Sequence, residues 1–206
     1  MARQVRKSVA RSDTAPAQRL RIVGGRWRGR RIEVPPLPAI RPTPDRVRET
    51  LFNWLQPHIV GARCLDLFAG TGALGFEALS RGAAHVTFVD REPRVARHLA
   101  ETLERLGGAD ARIVTSDAQR YLERAPQQPF DVVFLDPPFG AEVLPKLYPR
   151  LAAGWLSSRG FVYVECPADA PVSSLPENWL LYRSKRAGQV GYHLLQVSAP
   201  SFGDPS

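Results

Sequence analysis

Beyond residue 62 the apolar positions fall into short continuous runs near 63–68, 84–90, 111–115, 130–135 and 160–165. Between them, near 73–81, 93–106, 118–125 and 141–153, apolar residues recur at helical spacing. Short unbroken apolar runs suit strands buried on both faces, and their alternation with helices predicts βαβ units around a mostly parallel sheet. The last two runs, Leu180–Ser184 and Val190–Val197, have only Lys185–Gln189 between them. That is too short for a crossover helix, so they should pair as an antiparallel hairpin at one edge. The predicted body is α/β and Rossmann-like, with seven strands.

The N-terminal quarter has a different pattern. Residues 1–18 are polar and basic and predict a disordered tail. Arg19–Val23 and Arg30–Val34 read as two short strands around a Gly-rich turn. Pro35–Pro42 holds four prolines and reads as a linker, so residues 19–42 form a hairpin extension. Thr43-Pro44 offers a helix start, and Val47, Leu51, Trp54 and Leu55 predict a helix over 44–56. The body then runs over 43–197, with 198–206 a C-terminal tail.

Charge sharpens that division. Residues 1–48 carry 13 Arg and Lys against 3 Asp and Glu, a balance of +10, so the remaining residues carry −2 of a total of +8. The basic character belongs to the extension, which reads as a polyanion-facing arm on a nearly neutral body. Within it Arg26, Arg28, Arg30 and Arg31 surround Trp27, the pattern of an RNA-gripping tip: arginines for phosphates, one exposed aromatic for stacking. Such an arm should be separable from the chemical site. No apolar run is long enough to span a membrane and no signal core is present, so the expected location is the cytoplasm. Cys64 and Cys166 read as buried reduced thiols, and the scattered histidines give no metal site.

Two motifs carry candidate chemistry. Asp66-Leu67-Phe68-Ala69-Gly70-Thr71-Gly72-Ala73-Leu74-Gly75 places Gly-x-Gly-x-x-Gly after the first strand of the sheet, where glycines allow a tight turn and close approach to a nucleotide-like cofactor. A ligand is the simplest reason for these glycines. Asp90 closes the second strand, where it suits ribose hydroxyls or a helix cap. Asp117-Ala118 follows the third and suits an adenine amine, or again a cap. Asp66 is awkward beside a pyrophosphate but useful near the ammonium and sulfonium of S-adenosylmethionine, which favours that cofactor over NAD. The second motif, Asp136-Pro137-Pro138-Phe139, ends the fourth strand. The prolines fix the backbone, and a carboxylate, rigid carbonyls and an aromatic face suit gripping a nucleobase amine while the base stacks.

A parallel sheet with a terminal antiparallel hairpin is the arrangement of class I methyltransferases. Arg41-Pro42-Thr43, Asp45–Asn53, Leu65–Gly75, Asp136–Phe139 and Ala187-Gly188-Gln189-Val190 resemble the RsmD family of bacterial 16S rRNA guanine-N2 methyltransferases, over about residues 19–197. The resemblance implies S-adenosylmethionine as cofactor, S-adenosylhomocysteine as product, and a guanine of the position-966 type in 16S rRNA of assembling or assembled small subunits as target. It implies that Asp66, Phe68, Ala69, Gly70, Thr71 and Gly72 cradle the methionine end, Asp90 and Arg91 lie at the ribose, and Asp117 and Ala118 meet the adenine. Asp136 and the Pro137 carbonyl would accept from the guanine amine, Pro138 would stiffen the turn, and Phe139 would stack on the flipped base. The protein is expected to act as a monomer. An adenine-N6 DNA methyltransferase would use the same tetrapeptide, and a non-catalytic RNA-binding assembly factor would use the same arm.

Overall fold

The computed structural model describes residues 19–34, 43–138, 143–170 and 172–198. Phe139, the prolines of the 35–42 segment and both tails lie outside them. The strands of the body are β3 (Arg63–Asp66), β4 (His85–Asp90), β5 (Ala111–Thr115), β6 (Phe130–Leu135), β7 (Leu156–Pro167), β8 (Trp179–Ala187) and β9 (Val190–Val197). They form one seven-stranded sheet in the order β5-β4-β3-β6-β7-β9-β8. The first five strands run parallel, and β9 pairs antiparallel with both β7 and β8. The last strand in sequence is thus inserted inside the edge strand.

Helices α1 (Asp45–Ile59), α2 (Ala73–Ser80) and α3 (Pro93–Leu106) cover one face of the sheet, and α4 (Ala118–Tyr121) and α5 (Leu144–Ala152) the other. Helix α1 runs one turn past the expected end because Pro57 does not stop it and Ile59 is buried. Helix α3 closes on Gly107 at φ +67°, a left-handed stop that glycine adopts without strain. Strand β6 reads as Phe-Asp-Val-Val-Phe-Leu with only Asp131 less than buried, the signature of a strand covered on both faces.

Strands β1 (Arg19–Arg21) and β2 (Arg31–Glu33) pair antiparallel, with a 3-10 turn at Gly25–Trp27 between them. Leu20 and Ile32 face inward and the charged residues outward. Leu20, Ile22, Trp27, Ile32 and Val34 join the same core as α1, α2 and β3. This corrects the expectation of a separable arm: the hairpin is part of the folded body.

Candidate active site

Parallel strands all present their C-terminal ends at one edge, and in a doubly wound sheet ligands bind there where strand order reverses. The reversal falls between β3 and β6, which are hydrogen-bonded neighbours. Along that edge the acids stand in sheet order: Asp117 after β5, Asp90 on β4, Asp66 on β3, Asp136 after β6 and Glu165 on β7. Residues 70 positions apart in sequence are thereby set on adjacent strands.

The glycine loop spans β3 and α2. Asp90 braces it, accepting from Gly70 N at 3.0 Å through Oδ2 and from Glu92 N at 2.9 Å through Oδ1. Ala69 N donates to Val89 O at 3.0 Å. Gly72 has φ +76°, and a Cβ there would lie 2.4 Å from Phe76 and 2.5 Å from Leu99. A Cβ on Gly75 would lie 2.2 Å from the Phe88 ring. Packing therefore accounts for two of the three motif glycines, which corrects the reading that they call for a ligand.

Asp66 is 3% exposed and accepts from Gly75 N at 3.1 Å, in the first turn of α2. Burial, reinforced by Asp90 and only partly offset by that N–H, pushes its carboxyl up to about 7. Asp136 is driven well above the carboxylate range by burial and by the neighbouring Glu165 and Asp66, against a hydrogen bond from Thr43 Oγ1 at 3.4 Å. Glu165 is raised too, by burial, against donors on Tyr163 and Thr43. No Lys or Arg of a described residue forms a salt bridge with Asp66, Asp90, Asp136 or Glu165. An acidic edge without a counter-charge fits a cationic ligand and disfavours a pyrophosphate.

The other candidate residues are placed as follows. Asp117 caps α4, its Oδ1 accepting from Gln119 N at 2.8 Å and Arg120 N at 3.2 Å, with Ala118 buried behind it. Arg91 points to solvent beside Glu92 at 3.8 Å. Phe68 is half-buried, while Ala69 and Thr71 are buried, Thr71 Oγ1 accepting from Ala73 N at 3.2 Å. Pro137 is buried and Pro138 exposed at the turn; Phe139 is outside the described residues.

The basic tip differs most. Trp27 is 5% exposed, not a free stacking face: its backbone N–H donates to Ser80 Oγ at 2.9 Å, and its ring packs over Gly108, where an added Cβ would lie 3.0 Å from it. The hairpin turn sits flat on the end of α2, where a Cβ at Gly25 would meet Ser80 O at 1.9 Å, and this carries the indole inward. Arg26 lies 4.4 Å over the Trp27 ring and 4.0 Å from Asp110. Arg30 donates to Leu106 O at 3.1 Å and Arg105 O at 2.9 Å, satisfying the C-terminal carbonyls of α3. Arg28 and Arg31 are exposed and make no ion pair with a described residue.

Sequence reasoning missed Thr43, Tyr163 and Glu165 around Asp136. One signal was available: Glu165 closes an apolar run at the same edge as Asp66, Asp90 and Asp136.

A seven-stranded sheet in this order, with a glycine loop and an Asp-Pro-Pro turn at the reversal, defines a class I methyltransferase fold. Residues 20–196 match the model of a family described as "Conserved hypothetical protein 95". The chain is 47% identical over 186 residues to the Ribosomal RNA small subunit methyltransferase D of Escherichia coli (strain K12), covering 90% of this chain and 93% of that protein. It is 44% identical over 181 residues to the protein of the same name in Haemophilus influenzae, covering 86% and 93%. A solved structure described as a putative methyltransferase yhhF from Escherichia coli superposes with a TM-score of 0.82 at 45% identity, covering 88% of this chain and 99% of that one. The chain belongs to this family, the RsmD family, and is a methyltransferase.

Proposed function

We infer that this protein transfers a methyl group from S-adenosylmethionine to the exocyclic N2 amine of a guanine in 16S rRNA of the small ribosomal subunit. The observation that carries the reading is Asp136, a partly exposed acid one strand from the glycine loop and Asp66, at the point where the sheet order reverses. The rRNA assignment draws on the relatives, which are named as small-subunit rRNA methyltransferases.

The residues fit the cofactor. The acid Asp66 suits its ammonium and sulfonium, Asp90 its ribose with Arg91 beside it, and Asp117 and Ala118 its adenine. When bound, it supplies a methyl group on a good leaving group. The chain's own task is then to place and prepare the amine. An aromatic amine is a weak nucleophile because its lone pair is delocalised into the ring. Asp136 and the Pro137 carbonyl, accepting from its two hydrogens, draw the nitrogen toward tetrahedral geometry and direct the lone pair at the methyl carbon. Phe139 stacks on the base. Asp136 is held above the usual carboxylate range, so it is basic enough to take the proton the nitrogen sheds. Arg28 and Arg31, exposed and without an ion-pair partner among the described residues, offer guanidiniums to the RNA backbone.

Calorimetry should show binding of S-adenosylmethionine and none of NAD. Small subunits from cells lacking the enzyme, incubated with protein and labelled cofactor, should yield N2-methylguanosine on nucleoside mass spectrometry. Label in N6-methyladenosine instead, or none in rRNA, defeats the assignment.

A further inference from the structure

Glu165 lies one strand beyond Asp136, on the side away from the glycine loop. In sheet order Asp90 and Asp66 stand on one side of Asp136 and Glu165 on the other. A ligand held by the loop therefore approaches Asp136 from the β3 side, and whatever occupies the β7 side meets Glu165. Leu135, the last residue of β6, pairs in register with Val164 on a strand about 4.8 Å away, so Asp136 and Glu165 each follow that pair, near enough for the Glu165 charge to act on Asp136.

Glu165 is not a solvated surface acid. It is half-buried, and its Oε1 accepts from Tyr163 Oη at 2.8 Å. Tyr163 is fully buried, and burial beside Glu165 holds its hydroxyl protonated, so it stays a donor and fixes the carboxylate. The Thr43 hydroxyl, which donates to Asp136 Oδ2, also lies close enough to favour the charged form of Glu165. With a single proton, that hydroxyl serves one carboxylate at a time. An acid of this kind, braced on one oxygen beside the amine-gripping carboxylate, is placed to read the atom next to the amine.

We propose that Glu165 is the specificity-determining residue for the base: with the amine on Asp136, its second carboxylate oxygen accepts the N1–H of the same guanine. This rests on the amine-methylation reading above. On the Watson–Crick edge of guanine N1–H and the N2 amine are adjacent donors, separated by one ring carbon, and two neighbouring carboxylates are their complement. Adenine presents an acceptor at N1, whose lone pair would face the carboxylate and be repelled. A site built to accept from an N–H penalises an analogue that lacks it, because a partly buried acceptor is left unpaired. Burial favours proton uptake by both acids, and at Asp136 the charges of Glu165 and Asp66 add to it. A cationic methyl donor on the Asp66 side would shift both back toward the acceptor form.

The test replaces the target guanine by 2-aminopurine, which keeps the N2 amine and turns N1 into an acceptor. 16S rRNA ligated around a synthetic segment with either base, at the position the wild-type enzyme modifies, is reconstituted into small subunits. Single-turnover methyl transfer is then compared. Wild type should prefer guanine by roughly 10–100-fold. In E165Q, Tyr163 holds the amide oxygen and the NH2 faces the base, so the preference should collapse or invert. E165D keeps the charge but withdraws the oxygen, and should also narrow it. Binding of S-adenosylhomocysteine, measured by calorimetry, identifies the variants that fold. An unchanged guanine preference in either folded variant overturns the proposal, since a merely structural role slows both substrates equally. If wild type makes no N2-methylguanosine at all, the parent reading fails and this one with it.

Discussion

Two regions of this protein bury charge, and they treat it in opposite ways. Where the hairpin docks, Glu77 is fully buried and every direction around it is answered. It accepts from Val23 N, Gly24 N and Arg81 Nε, each at 2.8 Å, with Arg48 Nη1 at 3.7 Å. Arg48, equally buried, donates to Arg21 O at 2.7 Å and to Asp45. At the strand edge, Asp66, Asp136 and Glu165 have hydroxyl and N–H donors but no cation among the described residues, and each is raised above its ordinary value by burial. Opposite charges buried together are architecture, because removing either strands the other. Like charges gathered without a counter-ion raise one another's affinity for protons and favour an approaching cation.

The largest effect should come from breaking the compensated region. E77A leaves two hairpin N–H groups without their acceptor and removes the carboxylate beside the buried Arg48 guanidinium, and should cost about 3–5 kcal/mol in urea unfolding. Hydrogen exchange at Val23 and Gly24 should rise with it. A loss below ~1 kcal/mol would place this pair with ordinary surface ion pairs. In the uncompensated region the same kind of change should spare the fold. D136N should lower single-turnover methyl transfer by roughly 10²–10³-fold, by analogy with removing one group that acts only in the transition state. Its affinity for S-adenosylmethionine should stay near wild type. Near-normal turnover in D136N would remove the amine-gripping role.

The sheet was legible in the sequence because parallel strands covered on both faces become nearly unbroken apolar runs, as β6 does; the edge strand β5, with no buried residue, also falls at 111–115 as expected. The antiparallel pairing of β8 and β9 was legible from the short Lys185–Gln189 connection, but not the insertion of β9 beside β7, which follows from β9 being the strand with two buried sides. Asp66, Asp90 and Asp136 were legible because each closes or follows a run, whereas Glu165, at the end of a run of its own, was passed over. Two things were not legible. The latch between Glu77 and Val23 joins residues 54 apart, and a glutamate in the middle of a helical stretch carries no mark of being buried. Trp27 among arginines reads alike whether the turn projects into solvent or lies on a helix end. Only the close approach at Gly25 decides between them, and that depends on α2.

A smaller effect should separate the regions by pH. Asp66 moves from 3.8 in the unfolded chain to about 7 in the fold. Folding thus favours its protonated form, so this contribution to stability is whole below pH 3.8 and is lost as pH rises through 7. D66N does not titrate and keeps an oxygen for Gly75 N. Its melting temperature relative to wild type should therefore climb across that interval, by a few degrees, and level off above it. Saturating S-adenosylmethionine, bringing cationic groups to the wild-type carboxylate, should narrow the gap. A difference between D66N and wild type that does not vary with pH would mean the acid is not held up by burial.

The smallest effect tests whether the same division runs through the hairpin's own arginines. Arg30 is spent on the carbonyls closing α3, and Arg26 lies over Trp27 beside Asp110. Arg28 and Arg31 are exposed without a described ion-pair partner, and Arg31 stands directly across the strand pair from Arg21. Arg21 is answered by Asp45 at 3.7 Å, so Arg31 is the arginine of that cross-strand pair left to meet a polyanion. In filter binding to small-subunit rRNA over a range of salt concentrations, R28A and R31A should each lower the slope of log affinity against log salt by about 0.7–0.9, the release expected from one phosphate contact. R26A and R30A should leave the slope nearly unchanged and lower the melting temperature instead. Deleting the hairpin does not make this measurement, because it uncovers Glu77 and the core beneath Leu20, Ile22 and Trp27 and confounds binding with unfolding. Equal slopes in all four single variants would show that the arginines do not divide into structural and RNA-facing groups.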